Sequence, residues 1–313
     1  MSIKNSRSYI VSGVIICLIG AVCFSTKAVI VKLAYRDTTV DAVTLLALRM
    51  LFSLPFFLIS ALTVSGKTDN IKFTVKQWFG VAIVGCLGYY ISSLLDFLGL
   101  QYISAGMERL ILFVYPTLVL IMSSLLFKQR IKKLQWLAVA VTYAGLLLAF
   151  INEADFQSDK TDQFVLGSFL ILTCAFTYAA YIVGSGKLIP IVGAAKFNSY
   201  AMSFACAAVL IHFFITSDGS LLHLSASVYY YSLLMAVLST VIPSYLISEG
   251  IKRIGSDNAA IVGSIGPVST ILQAYLLLYE PISLVQLAGT ALVLAGVLII
   301  TLKKQATASK SAG

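Results

Sequence analysis

The sequence predicts an all-α integral membrane protein, with ten transmembrane helices arranged as two inverted five-helix repeats and both termini cytoplasmic. Composition is the first reason. Of 313 residues, 59% are hydrophobic and 11% charged, against about 25% charged in soluble domains. The second is length: ten apolar runs approach the ~20 residues needed to cross a bilayer. The third is charge placement, since the cations fall in alternate linkers.

The first run, 10–34, follows Lys4 and Arg7. It is longer than a signal-peptide core and no small-residue cleavage site closes it, so a retained span is expected. The others are expected at 41–64, 77–98, 103–127, 133–151, 164–184, 197–216, 226–249, 257–279 and 282–302. Lys and Arg number 16 in the N-terminal segment, the even-numbered linkers and the tail, but only two, Arg36 and Lys160, in the odd-numbered linkers. The odd-numbered linkers hold eight of the 13 acids. By the positive-inside rule both ends are cytoplasmic, which requires an even number of spans. The formal charge of +9 is therefore a topology signal, and nucleic acid is not an expected partner. All five cysteines lie within apolar runs without metal-ligand spacing and are expected to be packing residues.

An ungapped shift of 151 residues superimposes Gly99 on Gly250, Ile103 on Ile254, Pro116 on Pro267, Gln135 on Gln286, and Ala144-Gly145 on Ala295-Gly296. Composition alone yields Leu and Ala matches, but not a registered Gly, Pro, Gln and Ala-Gly. The expected divisions are 1–151, 152–304 and a flexible cytoplasmic tail, 305–313. Five spans per repeat is odd, so the second repeat enters the membrane inverted, the usual construction of secondary transporters with a site near the midplane. Pro116 and Pro267 are expected to kink the fourth and ninth helices near their centres. Ala138 with Gly145, and Gly289 with Gly296, each seven apart, are expected to form small-residue packing faces.

These features resemble the drug/metabolite transporter superfamily, and within it the EamA-type ten-span transporters with two EamA repeats. The resemblance is carried by "LLALRMLFSLPFF" with Arg49, by "GLQYISAGMERLILFVYPTLVLIMSSLLF" and "QWLAVAVTYAGLLL", and by residues 250–299 in the second half. The acid at the ninth helix's end is Glu280, whereas its first-half counterpart is Gln129. The resemblance implies transport of amino acids, related metabolites or drugs.

Ionisable residues inside spans are costly and usually face a polar cavity. Lys27, Lys32, Arg49, Asp96, Glu108 and Arg109 all belong to the first repeat and to the outer half of the bilayer. Four cations against two acids favour an anionic or carboxylate-bearing solute. Lys32 is expected to snorkel to the outer interface. Arg49 is expected to pair with Asp96 or Glu108. Glu108 and Arg109 diverge by about 100° on a helix, so one of them at most should face a cavity squarely. Tyr115 shares a face with Glu108, and Tyr178 and Tyr181 are further wall candidates, followed by Tyr89, Tyr90 and Tyr245. Glu249, Asp257, His212 and His223 are expected at boundaries or in loops.

The expected substrate-binding set is therefore Lys27, Arg49, Asp96, Glu108, Arg109, Tyr115, Tyr178 and Tyr181, with no catalytic residue, metal or cofactor. The expected function is secondary active transport of an amino acid or organic anion across the cytoplasmic membrane, with a coupled proton or other ion. The alternatives are export of drugs or cationic metabolites, an intramembrane enzyme and a channel.

Overall fold

The computed structural model describes residues 7–66, 72–127, 133–156, 161–217, 221–263 and 265–296. The expected tail and Gln129 lie outside them, as do the side chains of Ala138 and Asp257. All regular structure among the described residues is helical. The first half contains α1 (Arg7–Asp37), α2 (Ala42–Ser65), α3 (Val75–Gly85), a π-helical turn (Cys86–Ile91), α4 (Ser92–Gly99), α5 (Ala105–Leu112), α6 (Tyr115–Phe127) and α7 (Lys133–Phe156). The second contains α8 (Thr161–Val192), α9 (Ala194–Thr216), α10 (Ala226–Ala236), a second π-helical turn (Val237–Val241), α11 (Ile242–Gly263) and α12 (Ile265–Leu278). A short apolar helix, α13 (Leu284–Gly296), follows.

Eight helical segments have the length and composition to cross a bilayer, and Ile265–Leu278 and Leu284–Gly296 are shorter apolar helices at the last two expected spans. The chain is a multi-pass membrane protein. Its helix starts follow local chemistry. Asp41 accepts from the Val43 and Thr44 N–H groups at 2.9 Å each. Thr74 and Gln77 form a reciprocal capping box at α3, which satisfies otherwise orphaned N–H groups.

The register seen in sequence recurs in the elements. Both ends of α3 map onto α10 under the 151-residue shift, and the two π turns start 151 residues apart. The halves also exchange partners: α1 packs on α11 and α12, while α8 packs on α4 and α6, and α2 lies against α9. At one end, the Tyr231 hydroxyl of α10 donates to Asp37 at the close of α1. The shifted pair is Leu188 and Gly80, where a Cβ on Gly80 would stand 3.3 Å from Leu188. The close of α1 and the start of α3 lie at opposite membrane faces, because one returning span separates them. The two contacts are therefore equivalent but on opposite sides, as inversion requires.

The small-residue faces of α7 and α13 meet. A Cβ on Gly145 would stand 2.7 Å from the Gly289 carbonyl oxygen, and one on Gly289 would meet the Gly145 carbonyl oxygen at 2.7 Å. Backbones approach this closely only without side chains between them.

Three elements differ from expectation. The fourth span is broken rather than kinked: α5 ends at Leu112 and Pro116 is the second residue of α6. At the break, Val114 N–H reaches back only three residues, to Ile111 O at 3.1 Å. Proline suits the first turn of a helix, where its missing N–H costs nothing, so it starts a new helix instead of bending an old one. Pro267 lies in α12. The third span carries a π turn that alternating hydrophobicity does not reveal. Finally, α11 runs through the expected boundary at 249–257. Arg253 Nε lies 2.8 Å from Glu249 one turn earlier, an i,i+4 pair that favours helix continuation.

Candidate solute site

Lys27 on α1, Arg49 on α2, Asp96 on α4, and Glu108 and Arg109 on α5 are each at most 8% exposed. The first π turn prepares this arrangement. A wider turn re-aims the helix that follows, and α4 buries Ser92, Asp96 and Gly99. Lys27 Nζ lies 2.8 Å from Asp96 Oδ2 and 3.8 Å from Glu108 Oε1, so one ammonium bridges two carboxylates from different helices. Asp96 and Glu108 also hydrogen-bond to each other, so the two carboxyl groups share a proton beside the Lys27 ammonium.

Arg109 and Glu108 both enter the cluster, contrary to the expectation from their 100° divergence. The reach of arginine is the reason. Its guanidinium lies over the Phe24 ring, 5.5 Å from the centroid, and Nη2 makes a long 3.4 Å contact with Ser25 Oγ. Its Nε has no partner among the described residues. Gly266, beside Pro267, lets the guanidinium lie against the backbone of the ninth span: a Cβ there would be 2.7 Å from Nη2.

Arg49 is not paired as expected. Its Nε donates to Thr240 Oγ1 at 2.9 Å in the second π turn, its guanidinium stands over Phe97 at 5.5 Å, and Nη1 is unpartnered among the described residues. Asp96 is claimed by Lys27 instead. Lys32 Nζ donates to the Leu100 and Ile103 carbonyls at 3.2 and 3.0 Å, in the connection between α4 and α5. Leu100 is the C-cap of α4, where a cation meets the negative end of the helix dipole.

The tyrosines form a wall. Tyr115 meets Tyr178 edge-on at 5.0 Å, and Tyr178 stacks on Tyr181 at 5.7 Å. The Tyr181 hydroxyl lies 2.9 Å from that of Tyr89, which also donates to Asn198 Oδ1 at 3.3 Å. The Tyr181 ring rests on Gly88 of the first π turn, where a Cβ would be 2.3 Å away. Cys174, Tyr178 and Tyr181 share one face of α8. Of the weaker candidates, Tyr90 packs on His212, and Tyr245 is 48% exposed on the outside of the bundle. His223 is exposed in a loop, and Glu249 pairs with Arg253.

Phe24, Ser25, Asn198, Thr240 and Gly266 were not legible as site residues. The 151-residue shift offered one signal, since it places Thr240 on Tyr89 and Gly266 on Tyr115.

The model of the EamA-like transporter family matches residues 11–151 and again residues 165–302. The chain belongs to the EamA-like transporter family. The uncharacterized transporter YcbK of Bacillus subtilis is 34% identical over 285 residues, covering 89% of this chain and 89% of its own. The uncharacterized transporter sll1319 of Synechocystis is 23% identical over 315 residues, covering 93% and 94%. A solved crystal structure with 18% identity shares the fold at a TM-score of 0.63, over 95% of this chain and 98% of that one. This EamA-family protein is accordingly a membrane transporter, built on the two-repeat plan that its sequence displays.

Proposed function

We propose that the protein is a secondary active transporter that moves a small carboxylate-bearing metabolite, an amino acid or organic anion, across the cytoplasmic membrane by alternating access. The observation that carries this reading is the buried charge cluster. Arg49 and Arg109 each keep a buried N–H without a hydrogen-bond partner among the described residues, beside a tyrosine wall in which Tyr181 is buried. A buried unpaired polar atom typically costs 1–3 kcal/mol, more if charged, so atoms left this way suit a ligand that completes them.

In this reading Arg109 binds the carboxylate, Tyr115, Tyr178 and Tyr181 flank the rest of the solute, and Arg49 ties the second span to the second π turn. Lys27 holds Asp96 and Glu108 together, and these acids carry the coupled proton. Export of cationic drugs is disfavoured, because cations outnumber acids here. The test is counterflow in proteoliposomes. Vesicles loaded with an unlabelled amino acid or organic acid should accumulate the labelled form transiently above equilibrium. A channel or an enzyme would give no such overshoot, and its absence across amino acids, organic acids and drugs would reject the proposal.

A further inference from the structure

We infer that the transported solute carries a net negative charge, with its carboxylate seated on the Nε and Nη2 edge of Arg109. This deepens the proposed transport function and rests on it. The charge balance comes first. The buried cluster has three cations, Lys27, Arg49 and Arg109, and two acids, Asp96 and Glu108, while the buried Lys196 lies elsewhere, over the Phe73 ring. With both acids ionised the cluster's formal charge is +1, and a proton on either acid raises it to +2. At the outer rim Lys32 and Glu280 cancel, and both are engaged with backbone. Lys32 holds the Leu100 and Ile103 carbonyls between α4 and α5, and Glu280 accepts from the Ala105 and Gly106 N–H groups at 3.0 and 3.3 Å.

At the matching positions the second repeat supplies no acid. The positions 151 residues after Lys27, Arg49, Asp96, Glu108 and Arg109 are Tyr178, Tyr200, Ile247, Ala259 and Ala260. A zwitterion would leave the buried excess in place and a cation would enlarge it. A solute with one more carboxylate than ammonium removes it, and a buried charge is stable only when paired.

The geometry then selects Arg109. Lys27 already bridges two carboxylates, and Arg49 is tied by Nε to Thr240. Among the described residues of the cluster, Arg109 alone keeps a buried Nε without a partner beside an Nη2 held by nothing shorter than 3.4 Å. Those two N–H groups form one edge of the guanidinium fork, which takes a carboxylate bidentately. Gly266 and Phe24 fix the plane of the guanidinium from the second repeat and from α1. Gly266 is therefore a positioning residue for solute recognition, since any side chain there displaces Nη2.

The experiment uses full-length protein in detergent and reads ligand-induced rises in apparent melting temperature, converted to affinities by titration. The probes are L-glutamate, succinate and 2-oxoglutarate as net anions, L-glutamine and L-alanine as zwitterions, and putrescine as a cation. At least one anion should stabilise, and the isosteric pair L-glutamate and L-glutamine should differ by about thirtyfold or more, the scale of one unpaired buried charge. Arg109→Gln should remove the response. Arg109→Lys should keep part of it, and Gly266→Ala should weaken it without changing any charge. If Arg109→Gln does not fold, the wild-type glutamate and glutamine titrations and Gly266→Ala decide the matter. Equal or better binding of L-glutamine, L-alanine or putrescine overturns the inference, as does no response to any anion while counterflow of a neutral solute is seen. Failure of counterflow with every solute instead rejects the transporter reading on which the inference rests.

Discussion

Lys27→Met keeps most of the side-chain stem and removes the ammonium that lies 2.8 Å from Asp96 and 3.8 Å from Glu108. Both carboxylates are fully buried, so neither can recover its lost partner from water. Breaking a buried ion pair by deleting one member costs about 3–5 kcal/mol. At ~2–4 °C per kcal/mol for chains of 150–250 residues, the apparent melting temperature should fall by roughly 10 °C. The double variant Lys27→Met with Asp96→Asn removes one stranded charge along with its partner. It should melt above Lys27→Met alone, with a coupling of about 0.5–3 kcal/mol. Melting of purified protein in detergent checks both. A fall in Lys27→Met of less than about 2 °C, the scale of an exposed ion pair, would mean that Lys27 does not hold the cluster together.

Gly88→Val drives a side chain into the Tyr181 ring, already 2.3 Å from the Cβ position. It should cost about 1–3 kcal/mol, read as a lower melting temperature. Gly145→Leu should also destabilise, because the Gly289 carbonyl occupies its Cβ space at 2.7 Å, whereas Gly186→Ala, with nothing within 4 Å, should be neutral or stabilising by about 1 kcal/mol. Glu280→Gln removes the charge that caps α5 across the repeats and should cost on the order of 1 kcal/mol in melting experiments. Glu108→Gln and Asp96→Asn should each flatten the dependence of transport on pH in proteoliposomes, and unaltered dependence in both would remove the proton-carrying role.

The membrane class was legible because a bilayer imposes coarse demands, on length and on charge between spans, that composition alone satisfies. The repeat was legible because Gly, Pro and Gln matches survive where Leu matches mean little. The candidate charges could be nominated for the same reason: Lys27, Arg49, Asp96, Glu108 and Arg109 stand out against an apolar background. Their pairing could not. Arg49 meets Thr240, 191 residues away, and Arg109 meets Gly266 on a helix of the other half. Such partners depend on how interlocked halves pack, and no local pattern encodes that. The π turns escaped because they change register without changing polarity. Proline was read for its known effect within a helix, whereas Pro116 opens one.

The central claim is that the two inverted halves alternate around the charged cluster. Spin labels at Thr38 and Tyr230 report one membrane face, and labels at Ile189 and Phe79, their partners under the 151-residue shift, report the other. Distances measured in liposomes, with and without the anion that stabilises the protein most, should change in opposite senses, one face opening as the other closes. Both pairs widening together, or neither changing while transport proceeds, would contradict the account.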